Sequence, residues 1–166
     1  MAIEIRLLHR DEAAILEHVA ADVFDHDAQP ELVAAFLADR RHHIVVALDD
    51  GRVVGFVSAV DYVHPDKPPE LWVNEVGVAP GHRGAGLAKR MFGEMLKAGR
   101  ELGCRQAWVL TERSNAPAMR LYRAAGGIES GTDLVMLEFA IDDSEAAAGA
   151  RGPGTSASSQ TDAFRQ

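Results

Sequence analysis

Apolar and polar residues alternate at the start of the chain and then change to helical spacing. Positions 3–7 alternate, which predicts a half-buried strand. Asp11 is a candidate N-cap for a first helix. The apolar residues that recur at helical spacing after it are Ala14, Ile15, Val19 and Val23. Residues 24–30 interrupt this pattern, and helical spacing over 31–39 predicts a second, short helix.

Two apolar runs then flank a polar turn. Residues 43–48 and 52–62 are rich in β-branched residues, and the turn 49–51 between them contains two aspartates and a glycine. This pattern predicts a β-hairpin. The segment 63–69 contains three prolines and therefore predicts a loop.

The second half of the chain alternates strands with helices. An apolar run over 71–78 predicts a strand that leads through a glycine-rich turn into an amphipathic helix, and Gly103 marks the end of that helix. A strand over 106–110, a helix from Ser114 or Asn115 to Ala125, and a last strand over 133–141 follow. Strands in succession and strands that alternate with helices both occur, so the sequence predicts an α/β protein with a mixed sheet.

Composition limits the classes of function. The 166 residues are 47% hydrophobic and 25% charged, as in an ordinary soluble domain. The net charge of -8 disfavours general binding to nucleic acids or anionic membranes and favours a cationic substrate. With one cysteine, Cys104, neither an internal disulfide nor a cysteine-built zinc site is predicted. The first residues show no signal-peptide pattern, so the expected location is cytoplasmic.

The last part of the chain differs in composition from the rest. Residues 144–166 are small, polar and rich in glycine, proline and serine, so we expect a disordered tail there. Residues 1–143 are expected to form the single folded domain.

The glycine-rich turn carries the strongest functional signal. Backbone amides of residues 83–88 would lack helical partners and would meet where the helix dipole favours an anion. Gly84 and Gly86 allow close approach of the backbone, and Arg83 adds a charge that suits phosphate oxygens. The turn lacks the Lys-Ser/Thr pair of a P-loop and the glycine spacing of a dinucleotide fingerprint. It therefore predicts a different kind of phosphate-bearing cofactor.

The turn resembles the pyrophosphate loop of the GNAT superfamily of acyl-CoA-dependent N-acyltransferases. Arg83, Gly86 and Ala88 have the spacing of that loop, and Val76-Gly77-Val78 precedes it. The order of elements over residues 3–141 is similar as well. The resemblance implies the GNAT fold, a central mixed and mostly antiparallel sheet flanked by helices, with acetyl-CoA at a splay between the fourth and fifth strands. The cofactor-binding residues that it implies are Val76, Gly77, Val78, Arg83, Gly84, Ala85, Gly86, Leu87, Ala88, Asn115, Ala118 and Tyr122.

In that family the fourth strand uses main-chain groups. Val76 and Val78 would bind the amide-rich pantetheine arm as an added strand would. Glycine at position 77 is compatible with a bulge or a close approach of another segment.

Glu75 is an acidic residue within an apolar strand, where acids are uncommon. Strict alternation predicts that it shares a face with Leu71, Val73 and Gly77. Partial burial there would raise its pKa and make it a better base. The residues alone fit a glutamate paired with an arginine of a neighbouring strand equally well. The resemblance implies the general base that an amine acetylation requires.

The run from Asn115 to Tyr122 resembles the family's Asn-x-x-Ala-x-x-Leu-Tyr segment. Helical spacing aligns Asn115, Ala118 and Tyr122 along one face. The resemblance implies that the asparagine side chain meets the CoA arm and that the tyrosine hydroxyl protonates the leaving thiolate. Outside this family, a helical tyrosine is more often a packing residue.

An acidic cleft for a polycation is predicted near Glu75, with solvated loop charges as the alternative. The candidate substrate-binding residues are Asp25, Asp27, Asp61, Asn74, Glu75 and Asp133. The histidines lack ligand spacing, so no metal is predicted. Trp72 and Trp108 are expected in the core or in a pocket wall.

Within the superfamily, residues 70–88 align without gaps with the type I aminoglycoside 3-N-acetyltransferases, whose acidic residue falls on Glu75. Asn74 departs from the aromatic residue that this group tends to have. The resemblance implies a resistance enzyme that acetylates the 3-amino group of an aminoglycoside antibiotic by direct transfer, with Glu75 as base and Tyr122 as acid. Family members often form homodimers.

Two alternatives stay open. The acceptor of an N-acetyltransferase can also be a protein N-terminus, a lysine or a small metabolite amine. In a different class, the domain can be a catalytically silent module that binds acyl-CoA.

Overall fold

Five strands form one mixed sheet, in the order in which they follow one another along the chain. The computed structural model describes residues 3–131 and 135–137. The strands are β1 (Glu4–Leu7), β2 (His42–Asp49), β3 (Arg52–Tyr62), β4 (Glu70–Val78) and β5 (Gln106–Val109). The pairs from β1 to β4 are antiparallel, and β4 pairs with β5 in parallel. The predicted mixed, mostly antiparallel sheet is confirmed.

Helical segments connect these strands. The α-helices are α1 (Pro30–Ala38), α2 (Leu87–Glu101) and α3 (Ala116–Ala124), and 3-10 helices span Ala13–Glu17 and Pro80–His82. The predicted hairpin, the proline-rich loop and the helices that begin near residue 31, at the glycine-rich turn and near Asn115 are confirmed. Within the part of the chain that the structure describes, no helix is long and apolar enough to cross a membrane.

The first predicted helix is wrong in type and length. Only Ala13–Glu17 is helical, as a 3-10 helix. The Val53 N–H donates to the His18 carbonyl at 2.8 Å, and the Ala20 N–H donates to the Val53 carbonyl at 2.8 Å. Residues 18–20 therefore run extended beside the start of β3, because hydrogen bonds to a distant strand outweigh the local helical spacing.

Different segments of the chain pack on the two faces of the sheet. On one, which we call the helix face, α2 packs so closely that a Cβ at Gly99 would lie 2.9 Å from the Leu71 side chain. On the other, which we call the loop face, residues 18–29 cross the sheet, and the rings of Phe24 and Phe56 meet edge to face with centroids 4.4 Å apart. The core side chains are buried between the sheet and these segments.

A β-bulge at Asn74 interrupts the alternation of β4. Ser58 of β3 pairs with Glu75, whereas the next residue, Ala59, pairs with Val73. Side chains therefore change faces at the bulge: Val73 points to the helix face and Glu75 to the loop face. The predicted shared face of Glu75 with Leu71 and Val73 is wrong, and only its shared face with Gly77 is correct.

Two predictions concern the end of the chain. The last strand, predicted over 133–141, and the tail, predicted over 144–166, lie outside the described residues except for 135–137. Those three residues are exposed and form no strand. The domain boundary near residue 143 stays a prediction.

Gly77 provides a test of the packing on the loop face. A Cβ at this position would lie 2.4 Å from the Val23 carbonyl oxygen and 2.6 Å from the Phe56 ring. We expect Gly77→Ala to lower the free energy of unfolding by about 1–3 kcal/mol, because a backbone oxygen must move to make room. Urea denaturation followed by circular dichroism measures this change.

Gly93 of α2 offers the matched control, because a Cβ there would meet nothing within 4 Å. Gly93→Ala should raise stability by about 0.5–1 kcal/mol through helix propensity alone. Equal stability of Gly77→Ala and the parent protein would contradict the close approach at the loop face.

Candidate functional site

The sheet opens between β4 and β5 beyond a short paired segment. Parallel pairing joins residues 70–73 to residues 106–109, whereas β4 continues to Val78. Among the described residues, no strand pairs with the β5 side of residues 74–78. Main-chain groups at this edge can therefore serve a ligand that itself carries amides.

The main-chain groups of Val76 and Val78 face this opening. The Gly77 carbonyl oxygen lies 3.0 Å from the place that a Cβ of Gly55 would take, so it points toward β3. Because successive residues of a strand direct their backbone groups to opposite edges, Val76 and Val78 direct theirs toward β5. The Val78 carbonyl accepts a hydrogen bond from Nε of Arg83 at 3.0 Å, which fixes this arginine at the end of the strand.

The glycine-rich turn leads from β4 into α2 in a conformation that requires glycine. Gly84 and Gly86 have φ values of +79° and +75°, and Gly86 is the N-cap of α2. No atom of residues 3–131 or 135–137 would lie within 4 Å of a Cβ at either position. Among the described residues, no side chain caps α2, and its first turn contains no acidic residue. The positive end of the helix dipole is thus available to an anion.

A contact that local spacing does not predict ties this turn to the β2–β3 hairpin. His82 Nε2 and Asp49 Oδ2 are 2.9 Å apart. The two residues are far apart in the sequence, and neither belongs to a recognisable motif. We regard His82 as a residue that positions the turn.

Glu75 lies on the loop face opposite Ser58. Its side chain is accessible to solvent, yet it is partly surrounded by protein atoms. Desolvation and, to a smaller extent, the negative charge of Asp25 raise the pKa of Glu75 above its usual value. Neither cause involves an arginine. The role of Glu75 as a base stays a prediction.

The start of α3 is held by Asn115. Its side-chain oxygen accepts a hydrogen bond from the Ala118 N–H at 3.1 Å, and both residues are buried. This oxygen therefore caps the helix. Its contact with a CoA arm, which the resemblance implies, stays a prediction.

Tyr122 lies on the helix side of the molecule. Its ring centroid is 5.3 Å from that of Phe92 in α2. Burial raises the pKa of Tyr122 to about 12, so the hydroxyl keeps its proton at neutral pH and can donate it. The candidate base and the candidate acid thus lie on opposite sides of the sheet.

The structure places the described residues of the predicted acidic cleft on different faces of the sheet. Asp25 and Asp27 are exposed in the segment that crosses the loop face, and Asn74 is exposed at the bulge. Asp61 does not join them: it lies on the helix face, where its Oδ1 is 2.7 Å from His43 Nε2. Its position follows from the register with β4, which the sequence did not reveal. Asp133 lies outside the described residues.

Thr111, which was not predicted as a site residue, follows β5 at the other side of the opening. Its hydroxyl oxygen is buried and has no hydrogen-bond partner among the described residues. Burial of an unsatisfied hydroxyl costs free energy, so the Thr111 hydroxyl is a candidate partner for a polar ligand group. The open strand edge, the glycine turn and Thr111 fit a long molecule with amides at one end and phosphates at the other.

Among residues 3–131 and 135–137, no three His, Cys, Asp or Glu side chains form a group that could hold a metal ion.

The chain belongs to the Acetyltransferase (GNAT) family, whose model matches residues 8–126. Streptothricin acetyltransferase of Streptomyces lavendulae is 32% identical over 108 residues, which are 65% of this chain and 55% of that protein. A mycothiol acetyltransferase of Pseudarthrobacter chlorophenolicus is 34% identical over 126 residues, which cover 70% of this chain and 39% of that protein. The chain thus spans about half the length of these relatives or less.

Solved structures show the same fold at low sequence identity. An aminoglycoside acetyltransferase from an uncultured soil metagenomic sample superimposes with a TM-score of 0.73 at 17% identity, over 86% of this chain and 100% of that chain. Another from such a sample, in complex with sisomicin, has a TM-score of 0.70 at 14% identity, over 84% and 97% of the two chains. The aminoglycoside N-acetyltransferase AAC(6')-Iy in complex with CoA has a TM-score of 0.65 at 20% identity, over 82% and 95%. The predicted GNAT fold is confirmed.

The capping role of Asn115 can be tested directly. We expect Asn115→Ala to lower the free energy of unfolding by about 1 kcal/mol, because the Ala118 N–H loses its acceptor. Asn115→Asp keeps an acceptor at the same place and serves as the control. Urea denaturation of the three proteins measures the difference, and unchanged stability of Asn115→Ala would argue against the cap.

Proposed function

We propose that the protein is an acetyl-CoA-dependent N-acetyltransferase that acts on a primary amine. The observation that carries this proposal is the early end of the β4–β5 pairing, which leaves the main-chain groups of Val76 and Val78 beside the glycine-rich turn. The pantetheine arm would pair with this edge as an added strand. The diphosphate would lie against the amides of residues 83–88 at the start of α2.

Different residues can carry out the proton transfers and the carbonyl polarisation of a direct acyl transfer. Glu75 takes a proton from the substrate ammonium, directly or through a water molecule, which frees the nitrogen lone pair. The amine attacks the thioester carbonyl, whose oxygen the Val76 N–H would polarise. The C–N bond forms as the C–S bond breaks, and Tyr122 protonates the leaving thiolate. Acetylated amine and CoA are the products, and no covalent intermediate with the enzyme is required.

The opposite placement of acid and base supports this mechanism. The amine would approach from the loop face, where Glu75 lies, while the sulfur would lie nearer to the helix side, where Tyr122 packs against Phe92. Each group could then act on its own side of the reacting carbonyl. Tyr122 is protonated at neutral pH, so its proton is in place when the thiolate forms.

For the acceptor we propose a polycationic amine, with the 3-amino group of an aminoglycoside as the position of transfer. The net charge of -8 and the carboxylates of Glu75 and Asp25 on the loop face support a cation. The names of the relatives and of the structural neighbours, which include streptothricin and aminoglycoside acetyltransferases, support the same class. Such an activity would make the protein an antibiotic-resistance enzyme.

Calorimetry and a thiol-release assay test the function. We expect saturable binding of acetyl-CoA to the purified protein, and release of free CoA when an aminoglycoside is added. The amine panel also contains a protein N-terminal peptide, a lysine peptide and small diamines, which tests the alternative acceptors. Binding of acetyl-CoA without turnover on any amine would favour the silent binding module.

Substitution of the two proposed catalytic residues tests their roles. We expect Glu75→Gln and Tyr122→Phe each to lower kcat/KM for the best acceptor by about 10²-fold to 10⁴-fold, because each removes one proton transfer. Both changes keep the size of the side chain, so acetyl-CoA should still bind in calorimetry. Turnover at the parent rate in both variants would refute the assignment.

The effect of Asp25 on Glu75 predicts a pH dependence. Glu75 acts as a base only when deprotonated, so kcat/KM should rise with pH through its pKa, which desolvation and Asp25 have raised. Asp25→Asn removes a negative charge, lowers the pKa of Glu75 and should shift this rise to lower pH. Asp27→Asn, a similar change in the same exposed segment, is the control, because Asp27 is not among the charges that act on Glu75. The substrate amine titrates equally in all variants, so a profile that does not move with Asp25→Asn would contradict the coupling.

A further inference from the structure

An aromatic group lies on the loop face beside Glu75. Trp72 of β4 pairs with Trp108 of β5, and their ring centroids are 4.2 Å apart. Tyr62 of β3 adds a third ring, edge to face with Trp108 at 6.4 Å. We call these three residues the aromatic platform. The bulge at Asn74 matters here, because it brings Glu75 to the face that Trp72 occupies.

Hydrogen bonds hold the platform in one orientation. The Trp108 indole N–H donates to the Tyr62 hydroxyl at 2.8 Å, and that hydroxyl donates to Oε2 of Glu70 at 2.8 Å. Glu70 also pairs with Lys67. The polar atoms of Tyr62 and Trp108 are thus bonded at the ring edges, and the half-buried rings keep part of their surface for apolar and cationic groups.

The platform is only half-buried, although its rings are fixed. Half-burial leaves part of each of these three residues accessible to a ligand at the loop face. An aromatic face attracts an ammonium group or the C–H bonds of a saturated ring, since its quadrupole is negative there. The carboxylates of Glu75 and Asp25 complement the charge of such a ligand.

The spacing suits one class of acceptor. Trp72 and Glu75 are three residues apart on a strand that advances about 3.3 Å per residue, so their Cα atoms lie within about 10 Å. A six-membered ring that stacks on Trp72 could therefore extend an amino substituent to Glu75. A flexible chain amine could reach Glu75 but would leave most of the platform uncovered.

We propose that Tyr62, Trp72 and Trp108 form an acceptor subsite that binds a six-membered ring carrying ammonium groups and so selects cyclic polyamines over chain amines. This inference depends on the proposed function, because it assumes that the amine reacts at Glu75. It adds residues that contact the acceptor through their ring faces.

Tryptophan fluorescence provides the first test. The chain has two tryptophans, and both belong to the platform, so its emission reports on this subsite alone. With CoA present at constant concentration, sisomicin should change the emission of the parent protein saturably, whereas the chain diamine cadaverine should not. This titration needs neither turnover nor a variant. Sisomicin that is acetylated without any change in emission would overturn the proposal while leaving the proposed function intact.

Selectivity provides the second test. Trp72→Leu should lower the ratio of kcat/KM for sisomicin to kcat/KM for cadaverine by about tenfold, the loss expected when an aromatic face no longer contacts a cation. Trp72→Phe keeps a ring and should recover most of that ratio. An unchanged ratio in Trp72→Leu would contradict the subsite. A parent protein that binds no acetyl-CoA would refute the proposed function, and this inference with it.

Discussion

The parallel pairing between β4 and β5 ends after four residues, and the arrangement of the candidate site depends on this limit. The backbone groups of Val76 and the Val78 N–H face an opening, whereas the Val78 carbonyl accepts a hydrogen bond from Arg83. A strand edge is a strong hydrogen-bonding surface, and a protein must either cover it or use it. Here the edge leads directly into the glycine turn and the positive end of α2, so a ligand with amides and phosphates can satisfy both together.

The bulge at Asn74 determines which face of the sheet Glu75 occupies beside the opening. Without it, Glu75 would point to the helix face, on which α2 packs. With it, the carboxylate meets the segment that crosses the loop face, and the charge of Asp25 adds to the desolvation that raises its pKa. One extra residue in a strand thus separates the proposed acceptor side from the side of Tyr122, and the acyl carrier would lie between them.

Much of the fold and of the candidate site could be predicted from the sequence, because many of their features are determined by residues that are close together in the chain. Glycines with positive φ, the Asn115 cap and the apolar periods of the strands and α2 each act within a few residues. Features that depend on contacts between distant residues were not predicted. Residues 18–20 follow hydrogen bonds to Val53 rather than helical spacing, and Asp61 reaches the helix face through strand register. The contact of His82 with Asp49 joins distant segments, and no local pattern reports it.

The central claim is that the edge of β4 and the turn after it hold acetyl-CoA, and amide hydrogen exchange tests it most directly. Exchange of the backbone amides at Val76, Val78 and residues 83–88 should slow when acetyl-CoA is added, because each would gain an acceptor or be shielded from water. Amides on the opposite edge of the sheet, in β1, should exchange at the same rate with and without it. Protection that appears elsewhere, or no protection along residues 76–88, would contradict the account.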